Sequence, residues 1–249
     1  MTAADPFLPA LAVVVPFFNE EAAAGAVVDE LCRELVALGL EWEAVLVNDG
    51  STDGTGAALT QACARWPRCR VVHLPENGGQ GPALRCGISE TGAPLIAIMD
   101  GDGQNVPADL GVLLAALDRA DLVVGARTPR HDSWLRRRMS RVANTVRGWI
   151  LRDGVTDAAC ALKVFRRELM ATFPAAPAYM FHPYLPALAL AAGYRVAERP
   201  VRHRPRRSGR SKYGLRVMLC RPLLDTLAVG WRLRHRRAEP ARGAARSQT

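Results

Sequence analysis

Asp100-Gly-Asp102-Gly-Gln104 sets two carboxylates and a side-chain amide at alternate positions, directly after the apolar run Leu95-Ile-Ala-Ile-Met99. Oxygen donors at this spacing suit a hard divalent cation. Such an ion takes one or two carboxylates from the protein and completes its shell with water and substrate phosphate. The apolar run reads as a buried strand, and ligands of parallel sheets bind at the carboxyl ends of the strands. Two acids in a turn are, by themselves, equally consistent with a solvated surface loop. The surrounding elements must decide.

Those elements are legible. Leu11-Ala-Val-Val-Val-Pro-Phe-Phe18, Glu43-Ala-Val-Leu-Val-Asn-Asp49, Arg70-Val-Val-His-Leu74, Leu95–Met99 and Leu122-Val-Val-Gly125 read as strands. Helix patterns fall between them: Glu20 to Leu38, ended by Gly39; a helix to about Trp66 that Ser51 or Thr52 can cap; one from the turn Asn77-Gly-Gly-Gln-Gly-Pro82 to near Glu90; and Pro107 to Ala120. Strands and helices alternating at short spacing predict an α/β fold, its sheet mostly parallel and covered on both faces. After Gly125 the alternation fades. Ser133 to Arg152 reads as a basic amphipathic helix, Ala161 to Phe173 as a short strand leading into a helix, and Tyr194 to His203 as an exposed strand. Arg204 to Lys212 reads as a basic loop, Leu215 to Leu233 as a helix with a basic end, and Ala238 to Thr249 as a disordered tail. No Pro/Gly/Ser linker intervenes, so residues 1–237 are expected to form a single domain.

An apolar fraction of 49% over 249 residues is ample for a core. The six cysteines (Cys32, Cys63, Cys69, Cys86, Cys160 and Cys220) are scattered without a Cys-x-x-Cys pair. That argues against a zinc site and a disulfide framework, and fits a reducing cytosol. Asp5 and two prolines interrupt the N-terminus, so no secretory leader is expected there. No stretch approaches the roughly 18 uninterrupted apolar residues of a membrane span. The net charge of +9 conceals a division: residues 1–126 carry 6 basic and 17 acidic side chains, a net of −11, and residues 127–249 carry 27 and 7, a net of +20. Two ligand surfaces of opposite character are expected. The basic half would tolerate nucleic acid, but its arginines lack interleaved aromatics, and no nucleic-acid partner is expected.

Five segments then fall in one order: Val15-Pro16-Phe-Phe-Asn19-Glu20, Val47-Asn48-Asp49-Gly50-Ser51-Thr52-Asp53, Asn77-Gly78-Gly79-Gln80-Gly81, Met99-Asp100-Gly-Asp102-Gly-Gln104 and Gly125-Ala126-Arg127. In this the chain resembles family 2 glycosyltransferases with the GT-A nucleotide-sugar fold, a Rossmann-like α/β architecture. It is most similar to the dolichol-phosphate mannose synthase group, which glycosylates polyprenyl phosphates. Arg136-Arg-Arg-Met-Ser140-Arg141-Val-Ala-Asn144, Thr156-Asp157-Ala and Arg206-Arg-Ser-Gly209-Arg-Ser211-Lys212 extend the likeness, which covers about residues 10–215. The chain departs from the group's pattern at Asn48, Gly101, Gly103 and Asn105-Val106, and at Cys160-Ala-Leu-Lys163, where Gly-Phe-Arg/Lys is usual. The C-terminal membrane helices of many members are not expected from this sequence.

The resemblance implies a division of labour. Residues 10–126 would bind the donor, a GDP- or UDP-linked sugar, through Pro16, Asn19, Glu20, Asp49, Ser51, Gly79, Asp100 and, in a closing loop, Lys212. Asp100, Asp102 and Gln104 would hold the cation, Mg2+ or Mn2+. Residues 127–237 would form the acceptor side, with Arg127, Arg136, Ser140 and Arg206 on the lipid phosphate. Asp102, Asp157 and Arg127 would stand at the reaction centre, Asp157 orienting the sugar or the acceptor pocket. The Asn77–Gly81 turn either brings backbone to the donor or simply enters a helix. Leu215–Leu233 either lies in a membrane interface or packs on the core. The implied enzyme is cytoplasmic, peripheral at the inner face of the cytoplasmic membrane, and open to a membrane-protein partner. The alternative acceptor is a saccharide or protein hydroxyl. That chemistry calls for a catalytic carboxylate in the second half, where no acidic pair opens a helix.

Overall fold

A computed structural model describes residues 9–128, 145, 147–172, 181–205, 225–231 and 233. Seven strands form one sheet: β1 (Leu11–Phe17), β2 (Trp42–Asn48), β3 (Cys69–His73), β4 (Leu95–Ile98), β5 (Leu122–Arg127), β6 (Lys163–Arg166) and β7 (Val196–Val201). Their order is β3-β2-β1-β4-β6-β5-β7. Pairing is parallel throughout except that β6 runs antiparallel to both of its neighbours, β4 and β5. The five strands read from the apolar runs therefore share one direction, and their carboxyl ends share one edge.

The strands are apolar at nearly every position because both faces are covered. Leu11, Val13, Val15, Leu46 and Met99 meet α1 (Glu21–Ala37), α2 (Thr55–Cys63) and α4 (Leu110–Ala115) on one face. Ala12, Val14, Val45, Val47 and Ile98 meet α3 (Gln80–Ser89) and α5 (Phe181–Ala191) on the other. Each buried Val or Leu contributes about 1.5–3 kcal/mol. Pro16 sits inside β1 without breaking it. Phe17 turns its carbonyl to β2, where it accepts the Asp49 N–H. Pro16, one residue earlier, therefore faces the β4 side, past the last paired residue, Val14, so its missing N–H leaves no ladder bond unmade.

Three expectations change. The Pro107–Ala120 helix is α4 flanked by 3-10 turns at Pro107–Asp109 and Ala116–Asp118. Neither Ser51 nor Thr52 caps α2: the helix starts at Thr55, whose N–H is taken by Asp53 Oδ1 at 3.0 Å. The strand expected over Tyr194–His203 is β7, an edge strand hydrogen-bonded to β5 along its whole length and only partly exposed. The cysteines, scattered in sequence, are not all scattered in space. Cys69 hydrogen-bonds the side chains of Cys32 and Cys63; the Cys32 contact, together with burial, pushes its thiol up to about 12, while the Cys63 contact pulls the other way. No helix among the described residues is long and apolar enough to cross a membrane.

Candidate active site

Every described site residue lies at the carboxyl edge of the sheet or in the turns leaving it. The β1 and β2 turns are stapled to each other. Asn19, at φ +51°, donates its N–H to Ser51 Oγ at 3.0 Å, and its Oδ1 accepts the Thr52 N–H at 2.8 Å. The Glu20 N–H reaches Thr55 Oγ1 at 2.8 Å, and Glu20 itself is buried at the start of α1.

Asp49, 3% exposed, is turned toward the glycine-rich turn. Its Oδ1 accepts the Gly78 N–H at 2.9 Å; its Oδ2 accepts the Gly79 N–H at 3.0 Å and Asn77 Nδ2 at 2.8 Å. A carboxylate offers about four acceptor positions, and three are filled, so at most one remains for a nucleobase N–H. The glycine turn is thus a helix entry built on Asp49. Gly79 adopts φ +88° as the residue before α3, a conformation that costs a glycine nothing.

The next residue, Gln80, was not singled out from sequence. Its Nε2 donates to Asp100 Oδ1 at 2.6 Å, so the start of α3 orients the first acid of the Asp-x-Asp turn. The turn supports itself as well: Asn105 Oδ1 accepts the Asp100 N–H at 3.0 Å and Asp102 Oδ1 the Gln104 N–H at 3.0 Å. Gly101 is dictated by packing, since a Cβ there would sit 2.5 Å from the Phe17 ring. Gln104 is tied to the segment after β7, its Nε2 on the Arg204 carbonyl at 3.3 Å and its own carbonyl taking the Arg204 N–H at 2.9 Å. Its amide oxygen is the atom suited to a cation. Two carboxylates and an amide oxygen on one turn fit a hard divalent ion. Among the described residues no three His, Cys, Asp or Glu side chains gather to hold an ion alone, so phosphate oxygens and water would have to supply the rest.

Across β6, Arg127 ends β5 and grips Asp157 in a fork, Nε to Oδ2 at 2.7 Å and Nη2 to Oδ1 at 2.8 Å. The Arg127 N–H adds a third bond to Oδ2 at 3.2 Å. Both side chains are largely buried, at 17% and 6% exposure. Glu198 on β7 holds this turn from behind, accepting the Asp157 N–H at 2.9 Å and the Thr156 N–H and Oγ1 at 3.1 and 2.9 Å. Glu198 too was missed, because an acid in a strand that reads as exposed gives no local signal of what it caps. The expected Arg136, Ser140, Arg206 and Lys212 lie outside the described residues, as do residues 234–249, which include the tail expected from Ala238, and much of the segments 133–152 and 215–233.

Comparison with known proteins bears on the family and the fold. The profile of glycosyl transferase family 2 matches residues 12–173. The dodecaprenyl-phosphate galacturonate synthase of Rhizobium johnstonii is 35% identical over 232 residues, which cover 91% of this chain and 68% of that one. The undecaprenyl-phosphate 4-deoxy-4-formamido-L-arabinose transferase of Edwardsiella ictaluri is 33% identical over 217 residues, covering 84% and 64%. The chain thus spans about two thirds of the length of these relatives. Among solved structures, glucosyl-3-phosphoglycerate synthase of Mycobacterium tuberculosis with Mn2+, UDP and glucosyl-3-phosphoglycerate superimposes with a TM-score of 0.68 at 20% identity, covering 89% and 80%. The Pyrobaculum calidifontis mannosyltransferase PcManGT with GDP-mannose and Mn2+ gives 0.65 at 22%, covering 91% and 65%. The fold is therefore that of the GT-A transferases, and the chain is a glycosyltransferase belonging to glycosyl transferase family 2.

Proposed function

We propose that the enzyme moves a sugar from a nucleoside-diphosphate sugar to a polyprenyl phosphate, with inversion and with the help of a divalent cation. The observation that carries this reading is the juxtaposition at one sheet edge of the Asp100–Gln104 turn and the Arg127–Asp157 pair, with only β6 between the strands that bear them. The polyprenyl-phosphate relatives support the lipid phosphate acceptor, and the Mn2+ and nucleotides bound by the fold neighbours support the cation and donor.

Asp100, Asp102 and Gln104 would hold the cation, which when bound supplies Lewis-acid stabilisation to the departing diphosphate. Asp49, Asn19 and Ser51 fix the two turns between which the nucleoside lies. Arg127, with Arg136, Ser140 and Arg206 from the sequence pattern, presents donors to the acceptor phosphate, a task to which the guanidinium fork is suited. The phosphate oxygen attacks the anomeric carbon from the face opposite the nucleotide; the new C–O bond forms as the bond to the diphosphate breaks. Among the described acids of the second half, Asp153 is engaged with Arg147, Asp157 with Arg127 and Glu198 with the 156–157 turn. A hydroxyl acceptor would need a carboxylate as general base. A phosphate monoester, with a second pKa of about 6, arrives already ionised, so positioning and charge neutralisation suffice.

The bilayer supplies such an acceptor, and exposed Trp149, Leu227 and Trp231 support a peripheral site on the membrane surface. The reading includes one domain over residues 1–237 at the inner face of the cytoplasmic membrane. The test is incubation with a panel of UDP- and GDP-sugars, a short polyprenyl phosphate and Mn2+, followed by detection of glycolipid and nucleoside diphosphate. Asp102→Asn is expected to lower turnover roughly a thousandfold, several kcal/mol of lost leaving-group stabilisation. Undiminished product in chelator, or equal glycosylation of the unphosphorylated polyprenol, overturns the proposal.

A further inference from the structure

Lys163 is wholly buried, at 0% exposure, in the middle of the sheet. It begins β6, opposite Ile98 near the end of β4 and Val124 in β5. It therefore lies beneath the two places where the active-site turns leave the sheet. A buried ammonium is costly unless paired. The cost shows: burial lowers the Lys163 amine to about 8, against the opposing pull of Cys160, Asp157 and Asp100. An apolar residue would fill the space at lower cost.

The contacts of Nζ say what the charge does. It donates to the Ala158 carbonyl at 3.1 Å and to the Cys160 carbonyl. Both carbonyls belong to the turn that follows Asp157. The Cys160 N–H closes the same turn on the Asp157 carbonyl at 3.0 Å, and Glu198 holds the Asp157 N–H from β7 at 2.9 Å. The Asp157 backbone is thus pinned from β6 and β7, while its carboxylate aims Arg127 at the end of β5.

We propose that Lys163 is a positioning residue for the transfer reaction: its ammonium locks the 157–160 turn, so that Asp157 holds Arg127 in place for the acceptor phosphate. The hydrogen bonds that Nζ donates fall on the acceptor side of the rim, and its link to the donor side is the longer-range pull of Asp100.

The inference rests on the transfer reading above, and its test separates the two. Lys163→Met keeps an unbranched side chain of similar bulk and removes the charge. It should lower kcat/KM for polyprenyl phosphate by about tenfold to a hundredfold, the scale of a misplaced binding group, and leave KM for the nucleotide sugar within about twofold. Hydrogen exchange at the Asp157 and Cys160 amides should accelerate in the same variant. Added to Asp157→Asn it should cause little further loss, because the two act through one turn. Unchanged acceptor kinetics, an equal rise in donor KM, full additivity or unaltered exchange would each overturn the proposal. If the unmutated enzyme transfers nothing to polyprenyl phosphate, the functional reading falls, and exchange alone decides whether Lys163 locks the turn. If Lys163→Met does not fold, Glu198→Gln loosens the same turn from its other side, and unchanged acceptor kinetics in that variant refutes the idea.

Discussion

The two parts of the sheet edge are held by different forces. Around β1 and β2 the site residues ride on strands whose interior positions, Leu11 to Val15 and Ala44 to Val47, are entirely buried and apolar. The turns above them are joined by neutral hydrogen bonds and by carboxylates that gather backbone N–H groups, Asp49 those of Gly78 and Gly79, Glu21 that of Gly54 and Asp53 that of Glu21. Around β5, β6 and β7 the supports are charges taken out of water: Arg127 with Asp157, Arg147 with Asp153, and the ammonium of Lys163 on carbonyls. On the proposed reading, the difference matches the two ligands. A nucleotide bound with a cation needs shape and a hard oxygen set. A phosphate acceptor needs fixed positive charge in a low dielectric, where its attraction is strongest, and fixing a buried cation requires buried counter-charges.

This contrast can be broken most decisively at Asp153. Asp153→Ala strands the buried Arg147 guanidinium and should cost about 3–5 kcal/mol, seen as a fall in Tm of roughly 10 °C or more. The double change Arg147→Met with Asp153→Leu should recover most of that loss, since removing both charges is nearly neutral. If the single change is harmless, the second region does not depend on buried charge.

On the other side the corresponding test is steric. Gly87 on α3 faces Val14 and Val47, and a Cβ there would stand 2.5 Å from Val14 Cγ1. Gly87→Ala should lower stability by about 1–3 kcal/mol while leaving turnover per folded molecule unchanged. Full stability in this variant would mean that the packing is looser than the contrast requires.

The smallest effect is a pH dependence confined to the charged region. His182 on α5 is buried, and burial, reinforced by Lys163 and Arg127, holds its imidazole well below the usual 6.5. Its folded pKa is depressed, so below pH 6.5 the unfolded chain binds the proton first and stability falls with pH. The slope is at most about 1.4 kcal/mol per pH unit. Denaturant titrations between pH 7 and 5 should show this loss, and His182→Leu should flatten it. An equal slope in that variant would assign the acid sensitivity elsewhere.

The same contrast explains what the sequence disclosed. Val13, Val45 and Ile98 lie in short apolar runs bounded by turn residues, which read as strands buried on both faces, so the sheet and the acids at the end of β4 were legible. Asp49 was named as well, but its commitment to Gly78 and Gly79 depends on two turns far apart in the chain meeting, which no local pattern encodes. Glu198 and Lys163 were not singled out. A charged residue in a short strand looks solvated until its partners at 156–160 are placed beside it, and those contacts come only from the assembled sheet.

The reversed course of β6 has one more consequence. Because this strand enters the sheet where β4 and β5 leave it, the residues just before it are delivered to the same rim. On the proposed reading, a change in the turn before Lys163 reaches the acceptor side first, through the Asp157 fork on Arg127, while the Asp100–Gln104 turn is carried by a different strand.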